Sequence, residues 1–152
     1  MRQIKNCHSN PPDPSNPPYT NFSSNKHMAT RSRIGIELKN GSVLSVYHHW
    51  DGYPEWLGRI LNTHYNTRAK VAELIDGGDM SVCWNDNNQP EYYSARGENC
   101  PPRHDADLNE YLCDGEEYWY LFTNGKWVCY AEDYRIPGVV NEVPIPAAAL
   151  AG

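Results

Sequence analysis

The densest chemical signal in this 152-residue chain is the run Tyr47-His48-His49-Trp50-Asp51-Gly52-Tyr53-Pro54. Two imidazoles and a carboxylate beside a Gly-Tyr-Pro break can bind a metal or move protons. Spacing narrows that chemistry. Adjacent residues of a strand point to opposite faces, so His48 and His49 do not converge on one ion. His49 with Asp51 supplies two ligands where zinc takes four, so neither a metal nor a cofactor is expected. The competing reading is a folded corner with Trp50 in the core, Asp51 capping a helix start, Gly52 turning and Pro54 in the first helical turn. It predicts a buried Trp50, an Asp51 carboxylate that accepts a backbone N–H, and a Tyr53 at least partly accessible. Arg96-Gly97-Glu98 is a second, smaller signal, suited to a polar or anionic ligand or to a surface ion pair. The candidate binding residues are therefore His49, Asp51, Tyr53, Arg96 and Glu98, and no catalytic residue is assigned.

Other chemistry-bearing residues have plainer readings. His64 falls on an apolar helical face, where a satisfied core histidine is expected. Cys100 lies near Arg103 and His104, a setting that can lower a thiol's pKa. The chain has no GxSxG, Walker loop, HExxH or GxGxxG. The aromatics of the last hairpin (Tyr118, Trp119, Tyr120, Trp127, Tyr130) can stack bases, but the acidic surroundings favour core or protein-contact roles.

The elements that must position these residues follow from periodicity. Arg33–Leu38 alternates, with Ile34, Ile36 and Leu38 on one face, and Asn40-Gly41 signals a hairpin into Ser42–Trp50. A three-residue loop Lys39-Asn40-Gly41 sets Ile34, Ile36 and Leu38 opposite Val46, Leu44 and Ser42 and keeps that face apolar, which a two-residue loop does not. His48 and Trp50 continue on the core face, with Tyr47 and His49 on the other. Leu57, Ile60, Leu61 and His64 share a helical face; Thr67 caps a second helix carrying Val71, Leu74 and Ile75, ended by Gly77-Gly78. Strands are expected at Met80–Trp84 and Glu91–Arg96, a loop at Cys100–His104 and a short helical turn at Asp107–Leu112. A second Asn-Gly hairpin joins Glu117–Phe122 to Lys126–Ala131, its first strand apolar on both faces. The fold class expected is α+β: an antiparallel sheet of two Asn-Gly hairpins plus further strands, with a helix pair packed on one face.

Composition sets the frame. At 17.4 kDa, 39% hydrophobic and 12% aromatic, with mean hydropathy of -0.74, the chain suits one globular domain. No apolar run approaches the ~20 residues of a membrane span. The cysteines (7, 83, 100, 113, 129) are odd in number and lack a CxxC, so neither a disulfide framework nor a zinc knuckle is expected. Pro, Asn and Ser supply 14 of residues 1–27, which reads as a disordered or extended arm, or as a start-site misassignment with Met28 the initiator. The domain is placed at 28–133 and an extended Pro/Ala-rich tail at 134–152. Charge is uneven: +3 over residues 1–78, -9 over 79–133 and zero beyond. A basic nucleic-acid footprint is absent, and an acidic face suits solubility or a basic partner.

The segment from Met28, with His49-Trp50-Asp51-Gly52-Tyr53-Pro54, Gly78-Asp79-Met80-Ser81, Arg96-Gly97-Glu98 and Glu117 to Phe122, resembles a family of small uncharacterised bacteriophage proteins that share an HWDGYP motif. The likeness covers residues 28–131. It departs at Ser94-Ala95, where family members carry a basic stretch, and over residues 1–27, which have no counterpart. It implies a phage origin and action in the host bacterial cytoplasm or in the virion, and it transfers no catalytic residue.

These readings favour a non-enzymatic phage accessory protein that binds a host or phage macromolecule, with a protein partner expected and neither nucleic acid nor membrane. The alternatives are a small hydrolase or metal-assisted enzyme built on the His49/Asp51 corner with Arg96 and Glu98, and a structural virion component whose tails lace neighbouring subunits.

Overall fold

Asn40-Gly41 fixes the first pairing. Ser32–Glu37 and Val43–His48 form a hairpin with Ile34 opposite Val46 and Ile36 opposite Leu44, the register of the three-residue loop, and Gly41 takes the left-handed φ of 86° that this loop requires. The structure, a computed structural model, describes Gln3–Ile4 and residues 29–146. Its strands are β1 (Gln3–Ile4), β2 (Ser32–Glu37), β3 (Val43–His48), β4 (Met80–Val82), β5 (Glu91–Tyr92), β6 (Arg103–Asp105), β7 (Tyr118–Thr123), β8 (Lys126–Glu132) and β9 (Val140–Val143). They form one nine-stranded sheet in the order β1-β9-β8-β7-β2-β3-β4-β5, with β6 also on β3. The chain is α+β as expected, but the sheet is mixed: β2 runs parallel to β7, and β3 parallel to β4. Each parallel partner arrives after a long excursion, the connection that parallel pairing needs.

The helices lie between β3 and β4. Pro54–Gly58 is a π-helical turn that continues into α1 (Arg59–His64), and α2 (Arg68–Asp76) follows, capped by Thr67 Oγ1 accepting from the Lys70 N–H at 3.3 Å. Leu57, Ile60, Leu61, Val71, Leu74 and Ile75 pack on Ile34, Ile36, Val46, Tyr120 and Phe122, one face of the sheet. The opposite face carries Val43, Trp119, Leu121, Tyr130 and Val140, covered by Tyr111 of α3 (Leu108–Tyr111) and by Leu112. Both faces of β7 are therefore buried, as its sequence demands. Trp119, Tyr120, Trp127 and Tyr130 are core residues. Among the described residues no helix is long and apolar enough to cross a membrane. Cys83, Cys100 and Cys129 are free thiols and Cys113 is disulfide-bonded.

Several local expectations are corrected. Trp50 is 39% exposed rather than buried. The strand ends at His48, after which the His49 and Trp50 amides bond the Met80 and Ser81 carbonyls at 3.2 and 2.9 Å and carry the chain away from the core. Asp51 caps nothing: it takes a left-handed φ of 58° in the turn, and Tyr53 is the N-cap, with no side-chain cap bond. His64 is exposed: it is the last residue of α1, and its ring lies 4.3 Å from that of Trp84. Glu91–Arg96 is a two-residue strand followed by a 3-10 turn, Tyr93–Arg96. The expected loop around Arg103 and His104 is β6. Of the expected arm and tail, residues 1–2, 5–27 and 147–152 lie outside the described residues, as does Met28 at the start of the expected domain, and Val140–Val143 forms β9.

Gly35 marks where the second layer closes. A Cβ there would stand 2.9 Å from the Tyr111 ring and hydroxyl and 3.0 Å from a Val43 methyl, while the Tyr111 hydroxyl donates to the Tyr120 carbonyl at 2.7 Å and cannot retreat. Gly35→Ala is expected to destabilise by about 1–3 kcal/mol through overpacking, although alanine ordinarily suits a strand interior better than glycine. Urea unfolding of the two proteins checks this.

Candidate functional site

His48 is fully buried, and its imidazole joins three segments. Its Nε2 accepts the Cys83 backbone N–H at 3.0 Å, and its Nδ1 lies 3.3 Å from Ser32 Oγ. Because Nε2 is an acceptor, a neutral ring carries its proton on Nδ1 and donates to Ser32. Burial, with His49 adding to it, pushes the His48 pKa down to about 3. This is the satisfied core histidine that the helical pattern assigned to His64. Gly52 completes the corner. It packs against the start of β2, where a Cβ would meet Ser32 Oγ and the Thr30 carbonyl at 2.5 Å each, and its own carbonyl accepts from Tyr120 Oη at 2.7 Å.

With His48 committed inward, Tyr47 and His49 stand together on the opposite face, as strand alternation predicts. Tyr47 Oη and His49 Nδ1 are hydrogen-bonded at 2.6 Å, and the Tyr47 amide donates to Asp79 Oδ1 at 2.8 Å. Burial, and next the nearby Glu116 carboxylate, push the Tyr47 phenol up to about 12. Desolvation and the Arg31 guanidinium lower His49. Burial, reinforced by Asp114 and opposed by Arg33, Arg31 and Arg103, pushes the Glu116 carboxyl up to about 7. Beneath this margin the Arg33 Nε donates to Ser45 Oγ at 2.9 Å, and Arg103 is paired with Asp105 at 2.9 Å and with Asp114. The face thus gathers the hydrogen-bonded Tyr47 and His49, with Arg31 and Glu116 close enough to act on them electrostatically.

Of the five candidate binding residues, His49 belongs to this set. Arg96 and Glu98 lie on the neighbouring turn: Arg96 stacks on Tyr93 at 5.2 Å and pairs with Glu91 at 3.5 Å, while the Tyr93 amide bonds the Asp79 carbonyl at 3.1 Å and Asp79 holds Tyr47. Asp51 is exposed, and Tyr53 is partly exposed, its phenol raised by desolvation and then by Asp51 and Glu55. Tyr47 and Glu116 were missed as site residues. The alternation argument already placed Tyr47 beside His49, whereas Glu116 reaches them through tertiary folding alone. Cys100 is not an activated thiol: desolvation and the Asp79 and Glu98 carboxylates raise it. Among the described residues no three His, Cys, Asp or Glu side chains are grouped to hold a metal ion.

A second feature lies where β7 begins and β8 ends. Glu117, Tyr118, Ala131, Glu132, Asp133 and Tyr134 line an open cleft of about 260 Å³. Tyr134 is 91% exposed at its mouth, with the Arg135 guanidinium 5.4 Å from its ring centroid. Compared with known proteins, the chain matches no protein family, no curated protein and no solved structure.

One buried and one half-buried group give opposite pH slopes. His48 is lowered on folding, so its contribution is complete above about 6.5 and is lost as pH falls toward about 3, by about 1.4 kcal/mol per pH unit at most. Glu116 is raised, so its contribution is complete below 4.5 and is lost as pH rises through about 7. Glu116→Gln, neutral at every pH, is expected to raise the melting temperature by a few degrees at pH 8 and to leave it nearly unchanged at pH 4. Thermal melts at the two pH values check this.

Proposed function

We propose that this chain is a bacteriophage accessory protein that acts by binding a protein of the host or the phage, in the bacterial cytoplasm, through its acidic half. The observation that carries the reading is the open cleft of Glu117, Tyr118, Glu132, Asp133 and Tyr134. Carboxylates around tyrosine faces suit a lysine or arginine side chain, by charge and by cation–π attraction. Tyr134, almost fully exposed, has the aromatic character that recurs at interaction hot spots.

Glu117→Lys and Tyr134→Ala test it. Each is expected to lower retention of a bacterial or phage partner in affinity capture at least about tenfold, as hot-spot truncation does, with the melting temperature within about 2 °C of the parent. Retention unchanged in both variants contradicts the reading. Recovery of the protein in purified phage particles would instead support a virion component.

A second reading, acid–base chemistry, is favoured by the 2.6 Å Tyr47–His49 bond beside Arg31 and Glu116. It differs from a His49/Asp51 enzyme, since Asp51 points its chemistry to solvent at the corner. A turnover with a pH profile that Glu116→Gln flattens would favour it over binding.

A further inference from the structure

We infer that the cleft where β7 begins and β8 ends is an anchor site for an arginine side chain of a partner protein, and that the chain's own Arg135 stands in for that guanidinium when the partner is absent. The inference rests on the binding reading above and narrows its ligand from a basic side chain to one chemical group.

Backbone amides, not cations, aim the two glutamates of the cleft. Glu117 Oε2 accepts the Arg31 N–H at 3.2 Å, and Glu132 Oε2 accepts the Gly138 N–H at 3.3 Å. Among the described residues neither carboxylate has an ion pair. Each is held in place and keeps its second oxygen for a ligand.

Asp133 is engaged differently. Its Oδ1 accepts the Arg135 and Ile136 amides at 2.8 and 3.3 Å and lies 3.5 Å from Arg135 Nε, while its Oδ2 accepts from Asn141 Nδ2 at 3.1 Å. The same Arg135 guanidinium lies 5.4 Å from the centroid of the Tyr134 ring. This resident cation thus makes both kinds of contact that the cleft offers, to a carboxylate and to a tyrosine ring. Its side chain is 68% exposed, and contacts so exposed are weak and readily exchanged.

Shape and hydration select guanidinium over ammonium. A planar guanidinium lies against a tyrosine ring while its edge N–H groups reach the carboxylates beside it, and it gives up its water more easily than an ammonium does. Tyr118 and Tyr134 supply the rings, and Glu117 and Glu132 the acceptors, around about 260 Å³. That is below the ~300 Å³ at which pockets for drug-sized ligands begin, and it suits one side chain. The acidic margin continues to the Gly-Tyr-Pro corner. Desolvation raises the Tyr118 phenol, with Cys129, Glu55 and Glu117 adding to it, and desolvation raises Tyr53, with Asp51 and Glu55 adding. Glu55 is therefore near both, and a second cation of the same partner segment meets it there.

The test uses the full chain and two fluorescent peptides of equal charge, acetyl-Gly-Arg-Gly-Arg-Gly and acetyl-Gly-Lys-Gly-Lys-Gly, followed by anisotropy. The arginine peptide is expected to bind at least about fivefold tighter than the lysine peptide, and Tyr134→Ala to abolish that difference. Arg135→Lys keeps the net charge and removes the competing guanidinium. It is expected to tighten the arginine peptide about two- to fivefold and to leave the lysine peptide unchanged. Tyr134 and Arg135 are exposed, so neither substitution disturbs the core. Binding of neither peptide, equal binding of the two, or a preference indifferent to Tyr134→Ala would overturn the anchor; an arginine peptide unaffected by Arg135→Lys would overturn the stand-in. Equal binding of the peptides, with partner capture still lowered by Tyr134→Ala, removes the arginine anchor and leaves the binding reading standing. Capture indifferent to both Tyr134 and Glu117 removes the reading itself.

Discussion

A neutral imidazole in the core is the constraint on which the arrangement of this protein turns. His48 reaches Ser32 at the start of β2 and the Cys83 amide just past β4, so a single side chain ties the first hairpin to the strand that follows the helices. Two hydrogen bonds offset the desolvation of one neutral ring, whereas a buried imidazolium without a carboxylate would cost far more. The same commitment sets the opposite face. Strand alternation sends Tyr47 and His49 away from the core once His48 points into it, and the Asp79 carboxylate then receives the Tyr47 amide.

The two faces of the sheet have different chemistry for this reason. Beneath the helices, Ile34, Val46, Leu57, Leu61, Val71 and Ile75 make an apolar layer. The other face is apolar only around Val43, Tyr111, Trp119, Leu121 and Val140. Beyond that patch it gives way to Arg33, Ser45, Arg103, Asp105 and Asp114, whose charges are paired because unpaired ones would not survive there. Glu116 is the exception: it is half-buried among arginines and an aspartate, and it holds its proton near neutral pH. Where β7 begins and β8 ends, next to Glu116 in sequence, the acidic surplus of the sequence becomes a cleft rather than a diffuse surface.

Local signals were legible and long-range ones were not. Asn40-Gly41 and the alternation of Ile34, Ile36 and Leu38 fixed a register that holds in the fold, because a wrong register would turn apolar side chains to water. Thr67, Pro54 and Asn124-Gly125 act as their chemistry dictates. The parallel join of β2 to β7 links residues more than eighty positions apart, and no local pattern records it. Trp50 and His64 differ from the pattern at element ends: Trp50 lies beyond the end of β3, and His64 is the last residue of α1, exposed although Ile60 and Leu61 before it are buried. The His49 half of the site could be read from alternation, but Glu116 and Arg31 meet it only through the pairing of β2 with both β3 and β7.

Nuclear magnetic resonance of the ring nitrogens of His48, followed against pH in the folded protein, tests the central constraint most directly. The account predicts a neutral ring protonated on Nδ1, with no titration between pH 8 and pH 5. A His48 that titrates near 6.5, or carries its proton on Nε2, would contradict it.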